Sequence, residues 1–229
     1  MFYGYDPLYF LLVVPTIILS LWAQIMVKST FAKYSRIPCS KRITGQDSAS
    51  LLLKANSILD VKIEAVGGSL TDHYDPSHKV LRLSKPVYNE NSIAAVGVAA
   101  HETGHAIQHA LSWGPLALRS TLVPVANIGS MFGPWLAMAG LFLSFPMLFN
   151  IGILLFGGAV LFYLITLPVE FNASARAIAI LRTNNVLTQD ELKGVKKVLT
   201  AAAMTYVASA LTALMSLLRL ILLSRNRRR

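Results

Sequence analysis

Apolar residues along this chain fall into two kinds of pattern. Four stretches of about 20 residues carry almost no charge. Between them lie segments whose apolar positions recur with the periods of water-soluble helices and strands. The long stretches are "LYFLLVVPTIILSLWAQIMV" (8–27), "ANIGSMFGPWLAMAGLFLSFP" (126–146), "LFNIGILLFGGAVLFYLITL" (148–167) and "AMTYVASALTALMSLLRLILL" (203–223). A helix of 20 residues rises roughly 30 Å, the thickness of a bilayer's hydrocarbon core, so each reads as a membrane span. The first has neither a basic leader nor a small-residue cleavage site. Its apolar run is also too long for a secretion signal, which predicts a retained anchor that tolerates Pro15.

The polar stretches are 28–122 and 168–202. In the longer one, "TGQDSASLLLKANSILD" (44–60) has apolar residues at helical spacing, while "VKIEAV" (61–66) and "VLRLS" (80–84) alternate with period two. The turn formers between them, with Asp75-Pro76 at their centre, predict a small β-hairpin or meander. "KVLRLS" is a candidate edge for an extended substrate, the other reading being a plain strand of the sheet. A further helix is predicted from Asn91 or Ser92 as N-cap to the "WGP" at 113–115. The expected organisation is an anchor (1–27), a catalytic region with the β-hairpin and motif helix (28–122), a membrane hairpin (123–167), a second polar region (168–202), and a last span with a basic tail (203–229). The predicted fold class is a mainly α integral membrane protein. About four transmembrane helices carry a small α+β, zincin-like catalytic layer.

Composition sharpens this. Of 229 residues, 54% are hydrophobic and 14% charged, against about a quarter charged in a soluble domain. The one cysteine, Cys39, allows no intrachain disulfide. The formal net charge of +10 invites a nucleic-acid reading. The basic residues, however, are scattered through loops and span ends without a nucleic-acid motif, so no nucleic acid is expected as partner. The partners expected are the lipid bilayer and a protein or peptide substrate, membrane-associated or unfolded. The tail "RNRRR" (225–229) is expected against anionic headgroups.

The candidate chemistry lies in "VAAHETGHAIQHA" (98–110). On a helix, His101 and His105 share a face one turn apart and can aim two imidazoles at one metal ion. Glu102, beside that face, can reach a water at the metal. This is the H-E-x-x-H arrangement of zinc hydrolases, with Glu102 as general base. His109 cannot join on the same straight helix: eight residues rise roughly 12 Å, whereas zinc–nitrogen bonds are about 2 Å. The chain beyond the motif offers three carboxylates for a third ligand. Thr188 and Glu191 form a capping box that accounts for Asp190 and Glu191. Glu170, at a span boundary in "TLPVEFNASARAIAIL", needs a partner. The two spans between His105 and Glu170 return the chain to the same side of the membrane. One Zn2+ per chain is expected, held by His101, His105 and Glu170.

The stretches "LTDHYDPSHKVLRLS", "SIAAVGVAAHETGHAIQHA", "LRSTLVPVANIGS" and "TLPVEFNASARA" resemble the YugP-like family of membrane zinc metallopeptidases over nearly the whole chain. More distantly, "HETGH…EFNAS" is similar to the gluzincin-type HtpX heat-shock proteases and CAAX prenyl proteases. The resemblance implies peptidase chemistry, the same three ligands, and Glu102 as base. Those relatives often carry an aspartate four residues after the third ligand. Ser174 stands there in this chain, on the helix face of Glu170, as a candidate support for the metal ligands.

His73 and Tyr74 are candidates for polarising a substrate carbonyl or stabilising the oxyanion, the other reading being a tight turn in which Asp72 and Asp75 cap backbone groups; His109 is a candidate substrate contact, a support behind the ligands, or merely an exposed residue. His78 reads as a solvent-exposed turn residue, and Arg119 and Arg176 as headgroup contacts. A bacterial cell membrane is expected; lysines and arginines near the span ends favour the site at its cytoplasmic face, while the tail "RNRRR" requires either a partly re-entrant fourth span or a site that faces out. The rival to a protease is a non-catalytic adaptor or chaperone whose metal is structural. A fourth protein ligand, such as His109 or His73, would mark it.

Overall fold

The computed structural model describes residues 6–227. The end of the basic tail lies outside them. Seven α-helices occur among the described residues: α1 Val14–Tyr34, α2 Gly45–Ala55, α3 Lys85–Tyr88, α4 Ile93–Ala110, α5 Gly114–Phe142, α6 Pro146–Thr183 and α7 Gln189–Arg227. The strands are β1 Lys62–Val66, β2 His73–Asp75 and β3 Val80–Ser84. Four helical segments are long and apolar enough to cross a membrane: Tyr9–Tyr34, Gly114–Phe142, Pro146–Thr183 and Gln189–Arg225. The chain is a mainly α membrane protein with a small α+β part.

Helix α6 spans 38 residues, far more than the apolar run inside it. The end of an apolar run marks a change of surroundings. It does not stop the backbone, and no glycine or proline after Pro168 ends the hydrogen-bond ladder before Thr183. Residues 168–183, expected in a separate polar segment, therefore continue the third span's helix.

Contacts divide the chain into two compact units. Among the described residues one contains 6–24, Leu118–Pro168 and 204–227; the other contains Ile25–Ala117 and Val169–Ala203. In the first, a π-helical turn at Tyr9–Val13 precedes α1. The wider turn lies where the ring of Pro15 would otherwise press on the preceding carbonyls. Helices α5 and α6 approach closely at Gly133, where an added Cβ would lie 2.7 Å from that of Phe156. Ala137, Phe149 and Phe156 pack there with Leu220 of α7. Trp135 and Leu154 are 77% and 78% exposed. Side chains of that size left open in such number mark a surface meant for lipid.

In the second unit α4 is enclosed on all sides. Its Val96 and Ala100 pack with Leu181 of α6 and Val195 of α7. Ala94 and Ala99 meet Leu81 and Leu83 of β3, and Ala106 and Ile107 meet Leu53 of α2. Alanine and glycine at these positions let three layers approach one helix. Ser92 caps it, its hydroxyl accepting from the Ala95 amide at 3.1 Å. Helix α2 starts in a capping box between Thr44 and Asp47 and ends at Ala55, five residues short of the expected 60.

The sheet order is β1-β3-β2. β1 pairs parallel to β3, with Lys62 opposite Val80, and β2 pairs antiparallel to β3, with His73 opposite Arg82. Two expectations are thereby corrected. The hairpin joins β2 and β3, not β1 and β3. β3 is the central strand, paired on both sides, so it offers no edge to a substrate. Period two defines the faces of a strand and leaves its neighbours open.

Candidate metal centre

Helices α4 and α6 touch at Gly104. A Cβ added there would lie 2.6 Å from the carbonyl oxygen of Ala173. The glycine thus lets the α6 backbone come between His101 and His105 on α4, one turn from Glu170. Glu170, His105 and Glu102 are buried, at 2%, 7% and 8% exposure. Three ionisable groups so enclosed would cost several kcal/mol without compensating partners.

Both histidines present Nε2 to one carboxylate oxygen, Glu170 Oε2. The distances are 3.2 Å from His101 and 3.6 Å from His105. The imidazole centroids are 4.8 Å apart with planes at 85°. The candidate donor atoms of the three residues lie within 4.8 Å of one another. Two ligands bound to one zinc at about 2 Å, at a tetrahedral angle, stand about 3.3 Å apart. The spacing fits that ion, and the donor set, two imidazoles and a carboxylate, is one that catalytic zinc uses. Among the described residues neither His109 nor His73 belongs to this group.

The outer nitrogens are also held. His101 Nδ1 lies 3.1 Å from Ser174 Oγ. His105 Nδ1 lies 3.0 Å from Oε1 of Gln108. With Nδ1–H donated outward, the tautomer a metal at this centre would require, each ring would leave Nε2 unprotonated and facing the other donors. Burial opposes charging of His105, but the Glu170 hydrogen bond, the charges of Glu102 and Glu170, and Gln108 outweigh it. Its imidazole is pushed up from the ordinary range.

Gln108 was not among the residues singled out in the sequence. It is fully buried, and its amide nitrogen donates to the Val169 carbonyl at 2.9 Å and to Asn172 Oδ1 at 3.0 Å. Asn172 Oδ1 also accepts from Arg176 Nε at 2.7 Å, so Arg176, read as a headgroup contact, is bonded within this network. A signal for Gln108 was present: it is an uncharged polar residue three positions after His105 in a helix otherwise made of small apolar residues.

Glu102 makes no side-chain hydrogen bond among the described residues. Its charge helps to raise Asp72, whose carboxyl is pushed up first by burial and pulled back by the Ser84 donors. Asp72 accepts from the Ser84 amide at 2.7 Å, and Asp75 accepts from the Ser77 and His78 amides. Both aspartates therefore cap backbone groups. Tyr74 Oη and His109 Nδ1 are 2.8 Å apart, which ties β2 to α4. The Tyr74 phenol, pushed up to about 12 by burial and by the nearby Asp60 and Asp75 charges, keeps its proton. Alternation along β2 puts exposed His73 on the opposite face, with Nδ1 2.9 Å from the Thr71 carbonyl. His78 is exposed and pairs with Asp75. Glu191 closes the capping box with Thr188 and also accepts from Ser40, while Asp190 pairs with Lys193.

Comparison with known proteins agrees with this centre. Residues 9–225 match a family described as "Putative neutral zinc metallopeptidase". The chain is 48% identical over 221 residues to the "Putative membrane protease YugP" of Bacillus subtilis (strain 168), covering 96% of this chain and 98% of that protein. No solved structure matches significantly. A zinc-compatible His/His/Glu group and a match over nearly the full length lead to one assignment: the chain belongs to the neutral zinc metallopeptidase family.

Proposed function

We propose that the protein is a membrane protease that hydrolyses peptide bonds in membrane-associated or unfolded substrates. His101, His105 and Glu170 hold its zinc. The observation carrying this reading is the convergence of these three donors. Zinc there supplies Lewis-acid polarisation of a carbonyl and lowers the pKa of a water. Glu102, buried on α4 beside His101, takes a proton from the attacking water and returns it to the leaving amine. Ser174 and Gln108 hold the two imidazoles in the tautomer that keeps Nε2 free. Tyr74 and His109, with His73 at the start of the same strand, contact the substrate. The unpaired edge of β2 receives it in extended form. A group of three protein ligands supports catalysis over a purely structural metal, which takes four. The catalytic unit faces the cytoplasm, in keeping with its basic residues near span ends.

Metal content and cleavage of an unfolded model protein, measured together on purified wild type, Glu102→Gln and Glu170→Ala, test these roles. The expected result is about one zinc per chain and cleavage in wild type, zinc without cleavage in Glu102→Gln, and loss of zinc in Glu170→Ala. A wild type that binds no metal would overturn the site. Cleavage retained by a zinc-bearing Glu102→Gln would assign the activity to a contaminant, overturn the mechanism and favour the adaptor.

A further inference from the structure

Helices α1 and α7 meet where the Tyr34 ring lies over Gly194. A Cβ on that glycine would come within 2.8 Å of Tyr34 Cε1. Beside this contact is a groove of about 600 Å³. Lys33 of α1 and Lys193, Lys196 and Lys197 of α7 line it, with Met26 and the Tyr34 ring as its apolar part and the hydroxyls of Thr30 and Thr200 between. Lys193 pairs with Asp190 at 2.8 Å. Among the described residues Lys33, Lys196 and Lys197 have no carboxylate partner. Several ammonium groups around one groove repel one another unless an anion lies among them.

Sequence position says which anion. The apolar run of α1 ends at Val27, just before Lys28 and Lys33. The apolar run of α7 begins after Lys197. The lysines therefore stand where both helices pass from polar to apolar sequence, the level of lipid phosphates. A free phosphate would leave Met26 and Tyr34 without a partner, whereas a lipid's glycerol and upper acyl chain match them. Lysines scattered singly at span ends would only snorkel to the interface. Here lysines from two helices line one concave site.

We propose that this groove is a binding site for one anionic phospholipid, its phosphodiester among Lys33, Lys196 and Lys197 and its glycerol and upper acyl chain against Met26 and the Tyr34 ring. Native mass spectrometry of the full chain in detergent, with phosphatidylglycerol and phosphatidylcholine of equal acyl length, tests it. The expected result is one phosphatidylglycerol retained per chain, bound at least about tenfold tighter than phosphatidylcholine and weakened by salt. A Lys33→Gln, Lys196→Gln, Lys197→Gln variant should lose that preference while keeping its bound metal, the sign that it is folded. Should the variant not fold, a photoactivatable phosphatidylglycerol is used on wild type, and cross-links are expected in the peptides containing Met26–Tyr34 and Lys193–Thr200. Equal retention of the two lipids, an unchanged preference in a metal-bearing variant, or cross-links confined to other peptides would overturn the proposal. So would full competition by glycerol phosphate, which would make the groove a site for soluble phosphates.

Discussion

Gln108 connects the two helices that carry the candidate ligands through a single amide. Its oxygen faces His105 Nδ1 and its nitrogen holds the Val169 carbonyl, one residue before Glu170. Gln108→Met keeps the volume and removes both functions. Loss of such an outer partner lowers metal affinity about 10–100-fold, and the buried groups left unpaired cost about 1–3 kcal/mol of stability. Gln108→Glu retains an acceptor for Nδ1 and should recover part of the affinity. Competition with a chelator measures both. Equal zinc affinity in wild type and Gln108→Met would show that His105 needs no such support. Asp75 offers a test by pH. Hydrogen bonds from Arg82 and then His78 hold its carboxyl well below the usual carboxylate range. Its contribution is therefore complete above the unfolded value of 3.8 and is lost as pH falls toward the depressed folded value. The stability difference between wild type and Asp75→Asn should persist from neutral pH to about 4 and narrow below it. A gap that narrows at neutral pH would contradict this. The check is denaturant unfolding at a series of pH values.

At the scale of elements, the centre depends on how closely α4 and α6 approach. Replacing a helical glycine by alanine ordinarily stabilises by up to about 1 kcal/mol. At Gly104 the new Cβ would stand 2.6 Å from a backbone oxygen, which cannot rotate away as a side chain could. The overpacking cost of about 1–3 kcal/mol should prevail, and the displaced α6 should carry Glu170 away from the histidines. Gly104→Ala is thus expected to lower both stability and zinc content. Gly114→Ala, where an added Cβ meets nothing within 4 Å, should leave zinc content unchanged. Thermal unfolding and metal analysis of both variants decide it. The sheet shows the limits of pattern at this scale. The strands were legible at 61–66 and 80–84, but the central place of β3 came from long-range pairing with β1 and β2, and the burial of Leu81 and Leu83 from α4 packing over the sheet. The three-residue β2 is too short to carry a period of its own.

At the scale of the molecule, orientation in the membrane is open to a direct measurement. Cys39, the one cysteine, is 1% exposed, so a thiol introduced at exposed Lys54 on α2 would report almost alone. With the catalytic unit in the cytoplasm, a membrane-impermeant maleimide should label Lys54→Cys in inverted vesicles and leave it unlabelled in intact cells. Labelling in intact cells would place that unit outside.

The sequence by itself determined what short-range chemistry can write. Four apolar runs of spanning length, a helix cap at Asn91 or Ser92, and the spacing of His101 and His105 each follow from neighbours a few residues apart. Glu170 was also within reach, because a carboxylate at a span boundary is too costly to leave without a partner. Tertiary structure decided everything that depends on which surfaces meet. It placed β3 between two strands and gave Gly104 the α6 backbone as its neighbour. It joined Tyr74 to His109 and enclosed Gln108 among His105, Val169 and Asn172. It also brought Lys33 beside lysines some 160 residues later in the chain. The physical reason is one of range: periodicity and capping act over about one helical turn, whereas the partner of a buried polar group is fixed only when distant segments pack.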